Sequence, residues 1–329
     1  MSSREVCVRS GYRVYVGFYR FRDIPYLYGA IGFSLEEPQL LLCASDSSEL
    51  SIDAPSHEIV TLVKDVLNVL GVSKVNINLG GYISLHKGLG ARSRVLLSTI
   101  TAVSVLKKID VNPVEIALTM GEGRHSVVDI YTFLLGNLVI DSGIKLRRND
   151  IAENAEPLAV MPVPREWYVV IAVPEDSKRS HINLEQHLSD AREYDLQPQL
   201  YREVVRLMSA LVLRDFKVFT DAISAIQQHN DKYFTKNIGF FYDEVSSELM
   251  ECMRRSGLRG IGQSLLGSTV FGFTDSYVKA IEARSQLLEY FTRKGVQGRV
   301  WVTNVASVGH HVTVSRRYVS ATAKDAEIM

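Results

Sequence analysis

Apolar residues recur along the chain with two spacings, one of two residues and one of three to four, which together predict a mixture of strands and helices. The first fifty residues are strand-like: residues 12–21 alternate in part, and residues 29–35 form an apolar run that an acidic pair closes before Pro38. Residues 75–79 alternate apolar and polar side chains cleanly. The N-terminal part is therefore predicted to be built around a sheet.

Helical spacing begins at residue 56, where Ser56 is placed to cap a helix that Gly71 ends. A longer helical run starts directly after Gly90, and a short helix is predicted to begin near Ser126. In the second half, helices are predicted at 199–230 with a break near Arg214, at 244–257 and at 276–295.

The segment 150–165 is rich in Pro, Glu, Ala and Asn and is interpreted as a connection between two domains, residues 1–155 and residues 156–329. The second domain begins with an apolar strand, and its last part is predicted to be a strand pair, 298–305 with 310–317. Helices that cover antiparallel strands give an α+β fold.

The charge balance, the cysteines and the lengths of the apolar runs argue against several classes of protein. Lys+Arg and Asp+Glu each number 37, so the formal net charge is zero, which argues against a general nucleic-acid binder. Cys7, Cys43 and Cys252 lie far apart, which predicts no disulfide framework and fits a reducing cytosol. No run of 18 apolar residues occurs, so a cytoplasmic protein without membrane contact is expected.

The sequence HKGLGARSR, residues 86–94, places Gly-x-Gly between a polar loop and a helix start. First-turn amides lack partners within the helix and favour a phosphate, and glycines let the backbone approach it closely. Arg92 and Arg94 are predicted to add charged hydrogen bonds to that anion. The motif is neither a Walker loop nor a dinucleotide fingerprint.

Four segments, taken with their order and spacing, resemble the beta-ribofuranosylaminobenzene 5'-phosphate synthase family, an archaeal branch of the GHMP kinase superfamily. They are GAIGFSLEEP (29–38), HKGLGARSR (86–94), GEGRHSVVDIYTFLLGNLVIDSG (121–143) and GIGQSLLGSTVFGF (260–273). The resemblance implies a ribosomal-S5-like N-terminal domain and a ferredoxin-like C-terminal domain, with the ligand in the cleft between them.

The family condenses phosphoribosyl pyrophosphate with a para-substituted benzoate, releasing CO2 and pyrophosphate on the way to methanopterin-type carriers. The resemblance therefore implies a pentosyltransferase with a phosphorylated small-molecule substrate, Mg²⁺, no organic cofactor and a homodimer. The metal ligands stay undetermined.

Two departures from the family leave alternatives open. The loop typically reads GLGSGTQ, whereas here Ala91 to Arg94 follow Gly90, and Arg20, Tyr26 and Tyr28 stand where the family has acidic and arginine residues. Asp129 follows Ser126 at the spacing of the S-G-x-D base of small-molecule GHMP kinases, although Val127 replaces the glycine. An ATP-dependent kinase and a non-catalytic paralogue are thus the alternatives to the synthase.

The candidate catalytic residues are Asp129, as a base, and Glu36, which is expected to line the site. The candidate ligand-binding residues share three glycine-containing segments: Gly88, Leu89, Gly90, Ala91, Arg92, Ser93, Arg94, Gly123, Arg124, Ser126, Gly262, Gln263 and Ser264.

Overall fold

The computed structural model describes residues 2–19, 29–124, 126–143, 145–146, 152–153, 156–176, 198–239 and 242–318. The strands of this part are β1 Ser2–Tyr19, β2 Gly29–Asp46, β3 Ser51–Asp53, β4 Val75–Gly81, β5 Leu138–Asp141, β6 Lys145–Leu146, β7 Ala152–Glu153, β8 Pro157–Met161, β9 Tyr168–Pro174, β10 Arg259–Gln263, β11 Val270–Thr274, β12 Gly298–Thr303 and β13 His310–Tyr318. Its helices are α1 His57–Val69, α2 Ala91–Lys107, α3 Pro113–Thr119, α4 Val128–Leu135, α5 Pro198–Leu213, α6 Phe216–Ile238, α7 Glu244–Arg255 and α8 Tyr277–Lys294.

Seven strands form the first sheet, which runs β13-β1-β2-β4-β3, with β5 beside β2 and β8 beside β5. The long antiparallel pair β1–β2 is its centre, and two register shifts interrupt that pairing. The apolar helix α2 packs across β1 and β2. Helix α2 is buried on nearly all sides, and in its first turn Ala91, Ser93 and Arg94 are buried while Arg92 is exposed.

Four strands form the second sheet in the order β10-β11-β9-β12, antiparallel throughout. Numbered from β9 along the chain, the spatial order is 4-1-3-2, which is the ferredoxin-like arrangement. Helices α6, α7 and α8 pack against this sheet.

One hydrophobic core joins the two sheets. It takes Val14 and Phe33 from the first sheet, Phe219 from α6, and Phe271 and Phe273 from β11. The first sheet also takes β8 and β13 from beyond residue 155, so the predicted boundary between residues 155 and 156 does not coincide with a division between the sheets.

Most predicted elements are confirmed. Ser56 accepts a hydrogen bond from the amide of Ile59 at the start of α1, and helix α2 begins directly after Gly90. The predicted break near Arg214, where φ is +54°, separates α5 from α6.

Four predictions about strands are wrong. Strand β2 does not close at Pro38 but continues to Asp46, and the expected connection at 150–165 contains β8. The spacing of glycines in residues 258–273 predicts a loop that leads into an apolar strand, but residues 259–263 are strand β10. The last two strands do not pair with each other: β12 joins β9, and β13 joins β1.

The prediction that the cysteines form no disulfide is also wrong. Cys7 and Cys43 face each other across β1 and β2 and are bonded, with a Cα–Cα distance of 4.0 Å, while Cys252 is free. The two cysteines are 36 residues apart in the sequence, and they come into contact only because β1 pairs with β2. Within the described residues, no helix combines the length and the apolar character needed to cross a membrane.

Candidate functional site

A buried ion pair lies beneath the glycine loop. Arg13 of β1 donates from Nε to Asp129 Oδ1 at 2.8 Å and from Nη2 to Oδ2 at 2.6 Å. The hydroxyl of Tyr15 donates to the same carboxylate at 3.0 Å. Burial by itself would raise the pKa of Asp129, but the charge and hydrogen bonds of Arg13 outweigh burial and hold the pKa below its usual value. Asp129 is therefore kept as an anion.

This carboxylate also touches the start of α2. Gly90 has a φ of +69°, and a Cβ built there would lie 2.4 Å from Asp129 Oδ1. The carboxylate thus lies beside the positive end of the helix dipole, which stabilises a negative charge.

Arg94, predicted to contact a bound phosphate, lies instead in the core. Its guanidinium donates to the carbonyl of Gly11 at 2.7 Å, to the carbonyl of Asp129 at 2.8 Å and to Thr132 Oγ1 at 2.9 Å. Its side chain is fully buried, and burial lowers its pKa to about 10, so it stays charged at neutral pH. Because α2 is surrounded by protein, its residue 94 faces inward, and the predicted role of Arg94 as a direct phosphate ligand is wrong.

The glycine loop is held from the other half of the chain. Ser264 Oγ donates to the carbonyl of Gly88 at 2.5 Å and accepts from the amide of Tyr15 at 2.9 Å. A Cβ on Gly267 would lie 2.3 Å from Gly88 Cα, so the two loops pack backbone against backbone. The predicted residues Gly88 and Ser264 are thus brought together.

The exposed part of the first turn of α2 is the side chain of Arg92. Ser93 Oγ donates to Glu122 Oε2 at 2.6 Å, and Arg92 Nε lies 3.6 Å from Glu122 Oε1. Half of the Arg92 side chain is exposed. Burial raises the pKa of Glu122, and the negative charge of Asp129 adds to the increase. The first turn of α2 therefore brings the hydroxyl of Ser93 and the guanidinium of Arg92 to the carboxylate of Glu122, beside the first amides of the helix.

Ser126 donates a hydrogen bond to a second buried carboxyl group, that of Asp141. Its hydroxyl donates to Asp141 Oδ2 at 2.7 Å, while Asp141 Oδ1 accepts from the amides of Ala30 at 3.0 Å and Gly143 at 3.1 Å. Burial raises the pKa of Asp141 to about 6, although these hydrogen bonds oppose the shift. Asp141 thereby joins the starts of β2 and α4.

The remaining predicted residues are spread more widely. Glu36 lies at the surface, where it pairs with Arg165 at 3.3 Å, and no described contact connects it to the loop. Gly262 and Gln263 pack against Gln227 of α6, whose Oε1 accepts from the amide of Gln263 at 3.0 Å.

The turn before α4 holds two other predicted residues. Gly123, with a φ of +80°, forms part of this turn, and Arg124 is exposed beside Gly121. Arg20, Tyr26 and Tyr28 lie outside the described residues.

Sequence reasoning missed Arg13, Tyr15, Glu122 and Asp141. The signal for Arg13 was a charge within a strand segment, residues 10–18, that is buried on both faces. The signal for Asp141 was an acid ending a fully apolar strand, and Glu122 stands between two glycines. Buried charges of this kind need partners, but the sequence does not say which ones.

The buried ion pair and the first turn of α2 have different roles in this site. The Arg13–Asp129 pair is buried and satisfied, so it fixes the loop. The first turn of α2, with Arg92, Ser93 and Glu122, is the part that can meet an anion or a hard cation.

Comparison with known proteins agrees with the resemblance predicted from the sequence. The chain is 27% identical over 303 residues to beta-ribofuranosylphenol 5'-phosphate synthase of Archaeoglobus fulgidus, covering 87% of this chain and 92% of the relative. It is 23% identical over 271 residues to the protein of the same name from Methanothermobacter thermautotrophicus, covering 75% and 82%. No family model matches the chain. These relatives confirm the predicted resemblance.

Solved structures show the same fold. Homoserine kinase from Cytophaga hutchinsonii superposes with a TM-score of 0.67 at 15% identity, covering 94% of this chain and 97% of the other. Mevalonate diphosphate decarboxylase from Staphylococcus aureus gives 0.64 at 11% identity, covering 94% and 98%. The chain has the two-part α+β fold of the GHMP kinases, as the sequence predicted.

Proposed function

We propose that this chain is a ribosyl-5'-phosphate-transferring synthase of the beta-ribofuranosylphenol 5'-phosphate synthase type. The observation that carries the proposal is similarity over most of the chain to relatives that share this name, at 22–27% identity. The substrates proposed are phosphoribosyl pyrophosphate and a 4-substituted benzoate, in a pathway towards methanopterin-type carriers.

The proposed reaction exchanges two bonds. The C1'–O bond of the ribosyl donor breaks and pyrophosphate leaves with the electron pair. The ring carbon that carries the carboxylate bonds to C1', and the C–CO2 bond then returns its electron pair to the ring as CO2 leaves. A site for this chemistry must collect the charge that develops on pyrophosphate.

The first turn of α2 supplies that function in our proposal. The amides of Ala91, Arg92 and Ser93 begin the helix after Gly90, whose cap has no side-chain acceptor. Arg92 is the half-exposed cation beside them. Amide dipoles and a guanidinium together favour a pyrophosphate over a neutral ligand.

Magnesium is proposed by the same resemblance. In the described residues, no cluster of three or more His, Cys, Asp or Glu forms a metal cage. Mg²⁺ commonly uses one or two carboxylates together with substrate phosphates. Glu122 with Ser93 fits that pattern, whereas Asp129 is occupied by Arg13. When bound, the ion would neutralise charge on the leaving pyrophosphate.

The only support for the alternative hypothesis, an ATP-dependent kinase, is the fold that this chain shares with solved kinase structures. It requires Asp129 as a base, but this carboxylate accepts hydrogen bonds from Arg13 and Tyr15 and has a lowered pKa. A carboxylate held as a paired anion is a poor acceptor for a substrate proton.

The test supplies the protein and Mg²⁺ with phosphoribosyl pyrophosphate and carboxyl-labelled 4-hydroxybenzoate or 4-aminobenzoate. We expect labelled CO2 and pyrophosphate in equal amounts. Phosphorylation by ATP without CO2 release would replace the proposal with the kinase, and neither product with either donor would support a non-catalytic paralogue.

A binding assay locates the anion site. Arg92→Ala is expected to weaken pyrophosphate binding by roughly tenfold or more, because a charged hydrogen bond contributes about 1.5–3 kcal/mol. The matched control is Arg165→Ala, an exposed arginine that pairs with Glu36. If both variants bind pyrophosphate with equal affinity, the first turn of α2 is not the pyrophosphate site. A homodimer belongs to the proposal as an implication of the resemblance, and the cytoplasmic location expected from the sequence is proposed with it.

A further inference from the structure

The connecting segment, residues 82–90, joins the end of β4 to the start of α2. It contains neither helix nor strand. The amides that we assign to pyrophosphate follow it directly, at the first turn of α2. Because a segment without regular structure has no ladder of hydrogen bonds of its own, contacts with the rest of the molecule must fix its conformation.

Glu175 accepts three hydrogen bonds from the connecting segment. The hydroxyl of Tyr82 donates to Glu175 Oε1 at 2.9 Å, and Ser84 Oγ donates to Oε2 at 3.0 Å. Lys87 Nζ donates to the main-chain carbonyl of Glu175 at 2.6 Å. The two carboxylate oxygens and the carbonyl of one residue thus hold the connecting segment at three points.

The second sheet fixes Glu175 itself. Glu175 directly follows β9, which pairs with β12 up to Pro174, and its amide donates to the carbonyl of Gln297 at 2.8 Å. Arg299 of β12 has its Nε 3.6 Å from Glu175 Oε1. Strand pairing in the second half of the chain therefore sets the place of this carboxylate.

The contacts of Glu175 are largely shielded from water. The Glu175 side chain is 23% exposed, and Lys87 is 8% exposed. Tyr82 packs edge-on against Trp301 with ring centroids 4.9 Å apart, and the guanidinium of Arg299 lies 5.3 Å from the centre of the same tyrosine ring. Hydrogen bonds to a charged acceptor are stronger than neutral ones, and exclusion of water strengthens them further.

The third point of contact leads directly into the glycine loop. The carbonyl of Lys87 accepts from the amide of Thr269 at 3.1 Å and from its hydroxyl at 2.5 Å. Lys87 is therefore held at both its ammonium group and its carbonyl by the second half of the chain. Gly90, three residues later, is the cap of α2. The contacts at Lys87 thus set the direction in which the chain enters this helix.

We propose that Glu175 is a positioning residue for the anion site, and that it keeps the connecting segment and the first turn of α2 in their binding conformation before an anion arrives. The inference rests on the proposed function, because it takes the first turn of α2 as the pyrophosphate site. Order that exists before binding does not have to be created on binding, so it increases affinity. Glu175 acts through Tyr82, Ser84 and Lys87 and is not a ligand of the anion.

The experiment compares Glu175→Ala with the conservative variant Glu175→Gln. Alanine removes both side-chain hydrogen bonds, whereas an amide can accept from one hydroxyl and donate to the other. In calorimetric titration with pyrophosphate and Mg²⁺, we expect Glu175→Ala to raise the dissociation constant roughly tenfold, which corresponds to ordering about one further residue on binding. Glu175→Gln is expected to stay within about threefold of the wild type.

Hydrogen exchange of the protein without ligand reports the order of the connecting segment. We expect the amides of residues 82–93 to exchange roughly tenfold faster in Glu175→Ala than in the wild type, because local opening becomes easier. The amides of α8 should exchange at the same rate in both proteins. Mass spectrometry of peptic fragments measures both regions.

Glu248→Ala is the matched control. Glu248 of α7 also accepts from a tyrosine hydroxyl, that of Tyr290 at 2.7 Å, and from a lysine ammonium group, that of Lys294 at 2.8 Å. Both partners belong to α8 and not to the connecting segment. This variant should bind pyrophosphate like the wild type, and circular dichroism confirms that each variant folds.

The outcomes distinguish this inference from the proposed function. Unchanged exchange of residues 82–93 in Glu175→Ala, or faster exchange with unchanged pyrophosphate affinity, would overturn the inference. Loss of affinity in Arg92→Ala together with wild-type affinity in Glu175→Ala would overturn the inference alone. A wild type that does not bind pyrophosphate would remove the proposed anion site and the role of Glu175 with it.

Discussion

At the residue scale, the site is organised by charges that have no access to water. Arg13, Arg94 and Asp129 are all at most 8% exposed, and their polar atoms bind one another, backbone carbonyls, Tyr15 and Thr132. A buried charge is tolerated only when its partners replace water. These side chains therefore fix the position of the glycine loop and leave ligand contact to residues nearer the surface.

Arg94→Met tests this structural role. The substitution keeps much of the side-chain volume but removes the hydrogen bonds that the guanidinium donates to the Gly11 and Asp129 carbonyls and to Thr132, so we expect the free energy of unfolding to fall by about 3 kcal/mol. Urea denaturation measures it. Arg92→Met, at the half-exposed position two residues earlier, should change the value by less than about 0.5 kcal/mol. Similar losses for both variants would contradict the assignment.

Asp141 should make stability depend on pH near neutrality. Its pKa is raised to about 6 in the folded protein, so folding favours the protonated acid. Its contribution is fully present below the unfolded pKa and is lost as pH rises through about 6. The difference amounts to about 3 kcal/mol between pH 4 and pH 7.

The measurement is the free energy of unfolding against pH for the wild type and Asp141→Asn. The wild-type curve should fall relative to the variant between pH 4 and pH 7. Asp129 has a lowered pKa and therefore acts with the opposite sign, losing its contribution only in stronger acid. Parallel curves for wild type and Asp141→Asn would exclude the predicted titration.

At the element scale, the start of α2 depends on one glycine. Gly90 combines a left-handed backbone with close approach of the Asp129 carboxylate, and no other residue type satisfies both. The helix that follows is apolar on nearly every side and is held between the sheet and its neighbouring helices. The geometry of the predicted anion site is therefore set by packing of the whole helix.

Comparing Gly90→Ala with Gly71→Ala separates the cost of a left-handed backbone from the cost of a Cβ that collides with Asp129. Both positions have positive φ, +69° and +67°, but a Cβ at Gly71 meets nothing within 4 Å. We expect Gly71→Ala to cost about 1–2 kcal/mol, the ordinary price of a left-handed residue. Gly90→Ala should cost clearly more, because its Cβ collides with Asp129. Equal shifts in the two unfolding midpoints would show that the contact is unimportant.

The β1–β2 pair should be stabilised by its disulfide. Cross-linking residues 36 apart restricts the unfolded chain, so Cys43→Ser should lower the free energy of unfolding by about 2–4 kcal/mol. Cys252→Ser is the control because Cys252 is free. Reduction with dithiothreitol should affect the wild type and leave Cys43→Ser unchanged. A reduced wild type as stable as the oxidised protein would contradict the prediction.

At the scale of the whole molecule, the two halves of the chain share one core and one site. Ser264 and Thr269, from the loop between β10 and β11, donate to the glycine loop that precedes α2. Strand β13 returns from the second sheet to the first. Cooperative unfolding follows from such sharing, because neither half keeps its apolar surface buried alone.

We therefore expect a single unfolding transition. Fluorescence reports Trp167 and Trp301, both in the second half of the chain, whereas far-ultraviolet circular dichroism reports the whole fold. The two signals should change at the same urea concentration. A fluorescence midpoint that differs from the circular dichroism midpoint would show that the halves unfold separately.

The sequence by itself determined the local elements. Helix α1 with its Ser56 cap, the start of α2 at Gly90 and the break near Arg214 follow from spacing and backbone preference, which act over a few residues. The order and spacing of four segments also indicated the fold, through their resemblance to a known family.

Only the tertiary structure decided which distant residues meet. Arg13 and Asp129 are 116 residues apart, Cys7 and Cys43 are 36 apart, and β13 pairs with β1 from opposite ends of the chain. Whether a charge such as Arg94 faces a ligand or the core depends on which side of α2 the sheet covers. Pairing and burial of this kind depend on the packing of the entire chain, and no local pattern records them.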